Sequence, residues 1–351
     1  MRVWGSSEAA PSFQGLFMDD AVTGYRLKPG ARTRFRTVEF EADIAINANG
    51  VRDDEAIGPK PTGERRIVIL GDSLVLSVQV DLDRTFCELL EARLNRTAPD
   101  GVRYRVINAG VQGYGPVEEA LFFRHVARQF EPDVVLTAVF VGNDAEEAVL
   151  NEARLSGDAR PLTETVQEGL VRRLRRLVRR SMVLQVFRLR ALAAAERFAP
   201  GSATPLEPPL QSYAANPAPR IQRGVEITRR ALEMIAGDAA SVGARTGIVL
   251  MPARFQVDDA DYLRLQENVR QAGGVLLRDG ANARFERALA GLPDPRVDVL
   301  PALRRALPGS DLFYQQTVHL TPRGHEVVAA ELESFLQRSG LLDSAGAEAR
   351  H

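Results

Sequence analysis

The chain has 351 residues, 45% hydrophobic and 26% charged, with a formal net charge of −1. That is a globular composition, large enough for one sizeable core plus additions, and it offers no global field to recruit nucleic acid. The single cysteine, Cys87, excludes an internal disulfide, and four widely spaced histidines with no second cysteine give no metal-ligand spacing.

Residues 1–62 read as a β-rich extension. Its first fifteen residues, MRVWGSSEAAPSFQG, lack an apolar stretch of signal-peptide length, and no run in the chain approaches a membrane span. The expectation is a cytoplasmic chain with no transmembrane segment; a start further upstream would permit export. Residues 24–30 form a strand ending in a Pro29-Gly30 turn, and 33–41 alternate weakly, as an exposed strand does. Residues 43–52 hold another short strand and the turn pair Asn49-Gly50. Pro59, Pro61 and Gly63 form a linker into the core.

Two core segments, 63–150 and 220–338, alternate strands with helices. Residues 67–70 are a continuous apolar run, as a buried parallel strand requires, and Gly71-Asp72-Ser73-Leu74 follows it. Helical stretches are expected over 74–80 and 85–94, with Cys87 as a small buried apolar residue. A strand over 104–108 precedes Ala109-Gly110 and a helix over 117–129. The run 133–141 (DVVLTAVFV) is the clearest strand and ends at Gly142-Asn143-Asp144. Residues 151–219 break the pattern and read as a helical, Arg-rich insertion. Over 170–198 leucines and valines can share one face while arginines fill the other. A solvated lid over the site is the preferred reading, with contact to anionic lipid or another acidic partner as the alternative. The core resumes with a helix over 224–242, a strand over 246–251, a helix over 258–272, a short strand over 275–277 and a helix over 281–290, after which 297–300 leads into Pro301. Thr321-Pro322 supplies the cap and first-turn pair of a last helix, 326–337. Residues 339–351 form a tail.

Strand–helix alternation implies parallel pairing with helices on both faces. Strand ends in such a sheet converge on one edge, so Ser73, Gly110 and Asn143 can share a site with His319, just before the last helix. The set suits acyl transfer: a serine made nucleophilic by a histidine base, and an oxyanion met by the amides of Ser73 and Gly110 and the side chain of Asn143. Asp72 reads as a residue that ties its turn, Asp144 as a helix cap, His325 as a packing or capping group, and His125 as a partly buried structural histidine. Gly113-Tyr114-Gly115 reads as a substrate-facing loop; with Gly110 its spacing is wrong for a dinucleotide fingerprint.

Gly71-Asp72-Ser73-Leu74, Gly110, Gly142-Asn143-Asp144 and His319 resemble, in order, the four blocks of the SGNH, or GDSL, hydrolase superfamily. The resemblance covers roughly residues 63–150 and 220–338, and the Asn49-Gly50-Val51-Arg52-Asp53 run resembles bacterial members with an N-terminal β extension. It implies a flavodoxin-like three-layer α/β/α sandwich, with Ser73 as nucleophile, His319 as base, and Ser73, Gly110 and Asn143 as the oxyanion hole. One position departs from the family pattern, which places an aspartate two or three residues before the histidine. Here Thr317 and Gln316 stand there, and Asp311 is the nearest upstream acid. These three, with a main-chain carbonyl, are the candidate orienters of His319.

The expected function is a serine esterase or acyl-ester hydrolase needing no cofactor or metal, acting on a small-molecule, lipid-like or glycan ester. Two alternatives stand beside it. An O-acyltransferase would pass the same acyl-serine to a sugar hydroxyl. A binding member without turnover would follow from the missing acid.

Overall fold

The computed structural model describes residues 15–155, 208–271, 273–308 and 311–343. The Arg-rich helix expected over 170–198 lies outside them. The chain begins with two antiparallel hairpins, β1 (Phe17–Asp20) with β2 (Gly24–Leu27), and β3 (Arg32–Arg36) with β4 (Glu41–Ala45). The run expected as one strand over 33–41 is therefore a strand and a turn. Thr37 makes that turn, its hydroxyl accepting from the amides of Glu39 and Phe40.

The core follows as β5 (Glu64–Gly71), α1 (Ser73–Leu76), α2 (Phe86–Arg96), β6 (Arg103–Gly110), α3 (Pro116–His125), β7 (Val134–Phe140) and α4 (Asp144–Asn151). After the undescribed stretch come α5 (Pro219–Ser241), β8 (Arg245–Met251), α6 (Arg254–Val257), α7 (Asp259–Gln271), α8 (Gly280–Leu289), β9 (Arg296–Asp298), α9 (Leu300–Ala306) and α10 (Pro322–Arg338). Residues 275–277 are not a strand; Leu276 makes only an isolated bridge to Ala214.

The five core strands pair in parallel in the order β6-β5-β7-β8-β9. Counted within the core this is 2-1-3-4-5, the doubly wound flavodoxin-like order, so the fold is the three-layer α/β sandwich the resemblance implied. Helices flank the sheet: α2 packs with α10, while α3 and α4 pack with α5. Every residue of β7 is buried, as is Ile67–Leu70 in β5, because strands covered on both faces need apolar side chains in both directions. Among the described residues no helix is long and apolar enough to cross a membrane.

Candidate active site

The winding direction of the sheet reverses at β5, which lies between β6 and β7. Ser73 opens α1 just past the end of β5 at Gly71, and Asn143 lies just past the end of β7 at Phe140, so both lie at the carboxyl edge where such sheets leave a crevice. Gly110 ends β6 as the register partner of Gly71. A Cβ on Gly110 would lie 2.3 Å from the Leu76 nitrogen, so only glycine lets β6 and α1 approach this closely.

The turn that carries Ser73 is tightly tied. Asp72 Oδ1 accepts from the Leu74 amide at 2.8 Å, the tying role its position suggested. Ser77 closes the short helix in the left-handed region, φ 57°, a conformation that costs a non-glycine residue about 1–3 kcal/mol. Its hydroxyl donates back to Leu74 O at 2.6 Å. Arg52, 1% exposed, reaches in from the N-terminal segment. Its guanidinium donates to the carbonyls of Leu76 (2.8 Å), Ser77 (2.5 Å) and Val80 (2.6 Å). Burial lowers its pKa to about 10, which leaves it charged at neutral pH. Ser73 is 8% exposed, and neither its amide nor its hydroxyl has a partner among the described residues.

The other two expected oxyanion donors are engaged. The Gly110 amide donates to Asn108 Oδ1 at 3.1 Å, and Asn143 Nδ2 donates to Glu147 Oε1 at 3.0 Å. Asn143 Oδ1 is buried without a donor, a condition that costs about 1–3 kcal/mol. Asp144 is not itself the cap; its Oδ2 accepts from the Phe140 amide at 2.8 Å, and Asn143 occupies the cap position.

His319 does not hydrogen-bond Ser73. Both ring nitrogens are buried and unpartnered among the described residues, and burial alone lowers the imidazole pKa to about 4. None of the expected orienters reaches the ring. Thr317 Oγ1 accepts from the His319 amide instead (3.2 Å), the Gln316 amide donates to Glu39, and the Asp311 carbonyl accepts from the Thr321 hydroxyl. The physical reason is that this loop spends its polar groups on its own backbone and on the β3–β4 turn. His325 packs as expected: it stacks on Phe86 and its Nδ1 accepts from the Phe86 amide at 3.2 Å. His125, by contrast, is exposed.

Sequence reading missed a set of buried acids beside this edge: Glu118, Glu119 and Glu147 with Asp72 and Asp144. Desolvation first, then mutual repulsion, drives Glu119, Asp144 and Glu147 well above the ordinary carboxylate range, and burial pushes Asp72 up to about 6. A signal was present. Adjacent Glu118 and Glu119 stand in an otherwise apolar helix, PVEEALFF, whose neighbouring positions cannot all face solvent. Among the described residues no group of three or more His, Cys, Asp or Glu could hold a metal ion. Tyr114, expected in a substrate-facing loop, is 1% exposed, and its hydroxyl donates to the Tyr25 carbonyl of the first hairpin. A cavity of about 410 Å³ opens between that hairpin and α3, and no candidate site residue lines it.

A scan against protein-family profiles finds no match, and a search of characterised proteins also finds none. Solved structures with a similar chain path include LAE5, an alpha/beta hydrolase enzyme from the metagenome of Lake Arreo, Spain. It is 17% identical, with a TM-score of 0.41 over 82% of this chain and 99% of that one. The esterase EstA from Pseudoalteromonas sp. is 12% identical, with a TM-score of 0.41 over 78% and 97%. A catalytic mutant of Axe2, an acetylxylan esterase from Geobacillus stearothermophilus, is 13% identical, with a TM-score of 0.40 over 80% and 96%. The strand order β6-β5-β7-β8-β9 itself defines the fold.

Proposed function

We propose that the chain is a serine-dependent ester hydrolase of the SGNH kind, with Ser73 as nucleophile and His319 as base. The observation that supports it is the position of Ser73 and Asn143 just past the carboxyl ends of the neighbouring strands β5 and β7, at the reversal point of the sheet, with the serine hydroxyl unpartnered among the described residues. In the reaction, Ser73 Oγ forms a bond to the acyl carbon as its proton passes to His319. The carbonyl oxygen takes the electron pair and lies against the Ser73 and Gly110 amides and Asn143 Nδ2. Collapse expels the alcohol, which takes the proton from His319, and water then releases the acid by the same route.

Three local movements belong to this reading. The His319 ring turns toward Ser73, Asn143 Nδ2 leaves Glu147, and the Gly110 amide leaves Asn108. The test is hydrolysis of p-nitrophenyl acetate and covalent labelling by a fluorophosphonate, both lost in Ser73→Ala. Absence of both in the native chain refutes the reading.

A second reading has its own support. The unpartnered His319 ring and the inward-turned donors also suit a protein that binds a carbonyl ligand without turning it over. It predicts saturable binding of a slow ester substrate, measured by calorimetry, that Ser73→Ala leaves intact. Product appearing in the calorimeter cell would count against it.

A further inference from the structure

The loop that carries His319 is held from outside the core. Glu39, in the turn between β3 and β4, accepts the Gln315 amide on one carboxylate oxygen (2.8 Å) and the Gln316 amide on the other (2.9 Å). Its neighbour Phe40 lies against Tyr314, ring centroids 5.3 Å apart, and the Tyr314 hydroxyl donates to Gln79 O at 3.2 Å. Arg254 donates to the carbonyls of Tyr314 (3.1 Å) and Gln315 (2.6 Å). The loop then closes on itself, the Tyr314 amide donating to His319 O at 3.0 Å and Phe313 bridging Leu320.

The His319 ring nitrogens are buried and have no hydrogen-bond partner among the described residues, so no polar side chain fixes the imidazole and the course of its loop decides where the ring lies. Two consecutive amides are held on the two oxygens of one carboxylate at the exposed face of the loop, and bonds to a carboxylate are roughly twice as strong as neutral ones. We propose that Glu39 is the positioning residue for His319: by clamping the Gln315 and Gln316 amides it aims the imidazole and keeps it in a dry recess. The inference rests on the reading of His319 as the base. It also assigns the N-terminal hairpins a part in the site, through a contact that spans 276 residues of sequence.

The test is a proton NMR titration of the histidine rings in the full chain, compared among native, Glu39→Ala and Glu39→Gln forms. His319 is depressed by burial, and the ionisable groups sharing its surroundings are His325 and, beyond it, Arg52. Native His319 is expected to titrate near 4. Removing the clamp admits water, so in Glu39→Ala its midpoint rises by about one pH unit or more toward the ordinary value, while His325 holds. Glu39→Gln keeps a single acceptor and falls between. Ester turnover should drop about 10- to 100-fold in kcat in Glu39→Ala, with KM within about twofold. If Glu39→Ala does not fold, Glu39→Gln carries both measurements. An unchanged His319 midpoint in every folded variant, whatever the melting temperature does, overturns the proposal. A shifted midpoint in a chain that turns over no ester would uphold the clamp and defeat the hydrolase reading instead.

Discussion

Glu119 is 1% exposed, and neither carboxylate oxygen has a donor among the described residues. Burial raises its pKa, so the native state holds a proton that the unfolded chain releases above the ordinary value of 4.5. The stability this group contributes is complete below that value and is lost as pH rises. Glu119→Gln mimics the protonated form at every pH. It should raise the melting temperature at pH 8 and change it little at pH 4, as calorimetry would show. His319 gives the opposite sign on the acid side. Its pKa is lowered to about 4 from 6.5, so its contribution is present above 6.5 and lost as pH falls through 4. The acid limb of kcat/KM for ester hydrolysis should therefore fall near pH 4. Asn143→Ala should cost about 10²–10³ in kcat with little change in KM, because an oxyanion donor acts in the transition state. Ser73, Gly110, Asn143 and His319 stood out because each follows an apolar run or precedes a capped helix. Glu39 and Arg52 did not, because they bind backbone groups, and a backbone partner leaves no mark on the residue types around it.

At the scale of elements, α4 and α5 cross almost backbone to backbone. A Cβ on Gly224 would lie 1.7 Å from the Ala145 carbonyl oxygen, an atom with no freedom to move aside. Gly224→Ala must push the helices apart, at a cost of about 1–3 kcal/mol. α4 begins immediately after Asn143, so the same shift should lower kcat as well as the urea midpoint. Full activity in a destabilised variant would show that α4 yields at its far end instead. Helices and buried strands were readable to within a few residues, since their apolar periods are long. The hairpins were read less well. β1 (FMDD) has no clear period, and 33–41 runs through a turn made by Thr37, whose hydroxyl does what a turn-forming Gly or Asn would otherwise do.

For the whole molecule, the strand order follows from chain order and parallel pairing, and it was legible for that reason. The attachment of the hairpins was not. Arg52 binds the turn after Ser73, Tyr25 donates to the Gln112 carbonyl beyond Gly110 at 2.8 Å, and Glu39 binds the loop before His319. Three of the four loops of the candidate site are thus fastened by one N-terminal segment. Arg52→Ala should strand three buried carbonyls and cost about 3 kcal/mol or more, seen as a lower denaturation midpoint. Arg52→Lys supplies one donor group in place of a fork and should recover only part of the loss. Full recovery with lysine would mean that charge alone matters.

That fastening has a consequence in time. A ribosome adds about 5–20 residues per second, so Glu39 waits about 14–55 s for partners made 276 residues later. Arg52, only 24 residues from Leu76, waits a few seconds at most. During synthesis the second hairpin must therefore stand with its grip empty while the sheet assembles beside it. On nascent chains arrested near residue 300, protease should cut at the β3–β4 turn while the Arg52 contacts already resist. Release of the completed chain should then close that turn last.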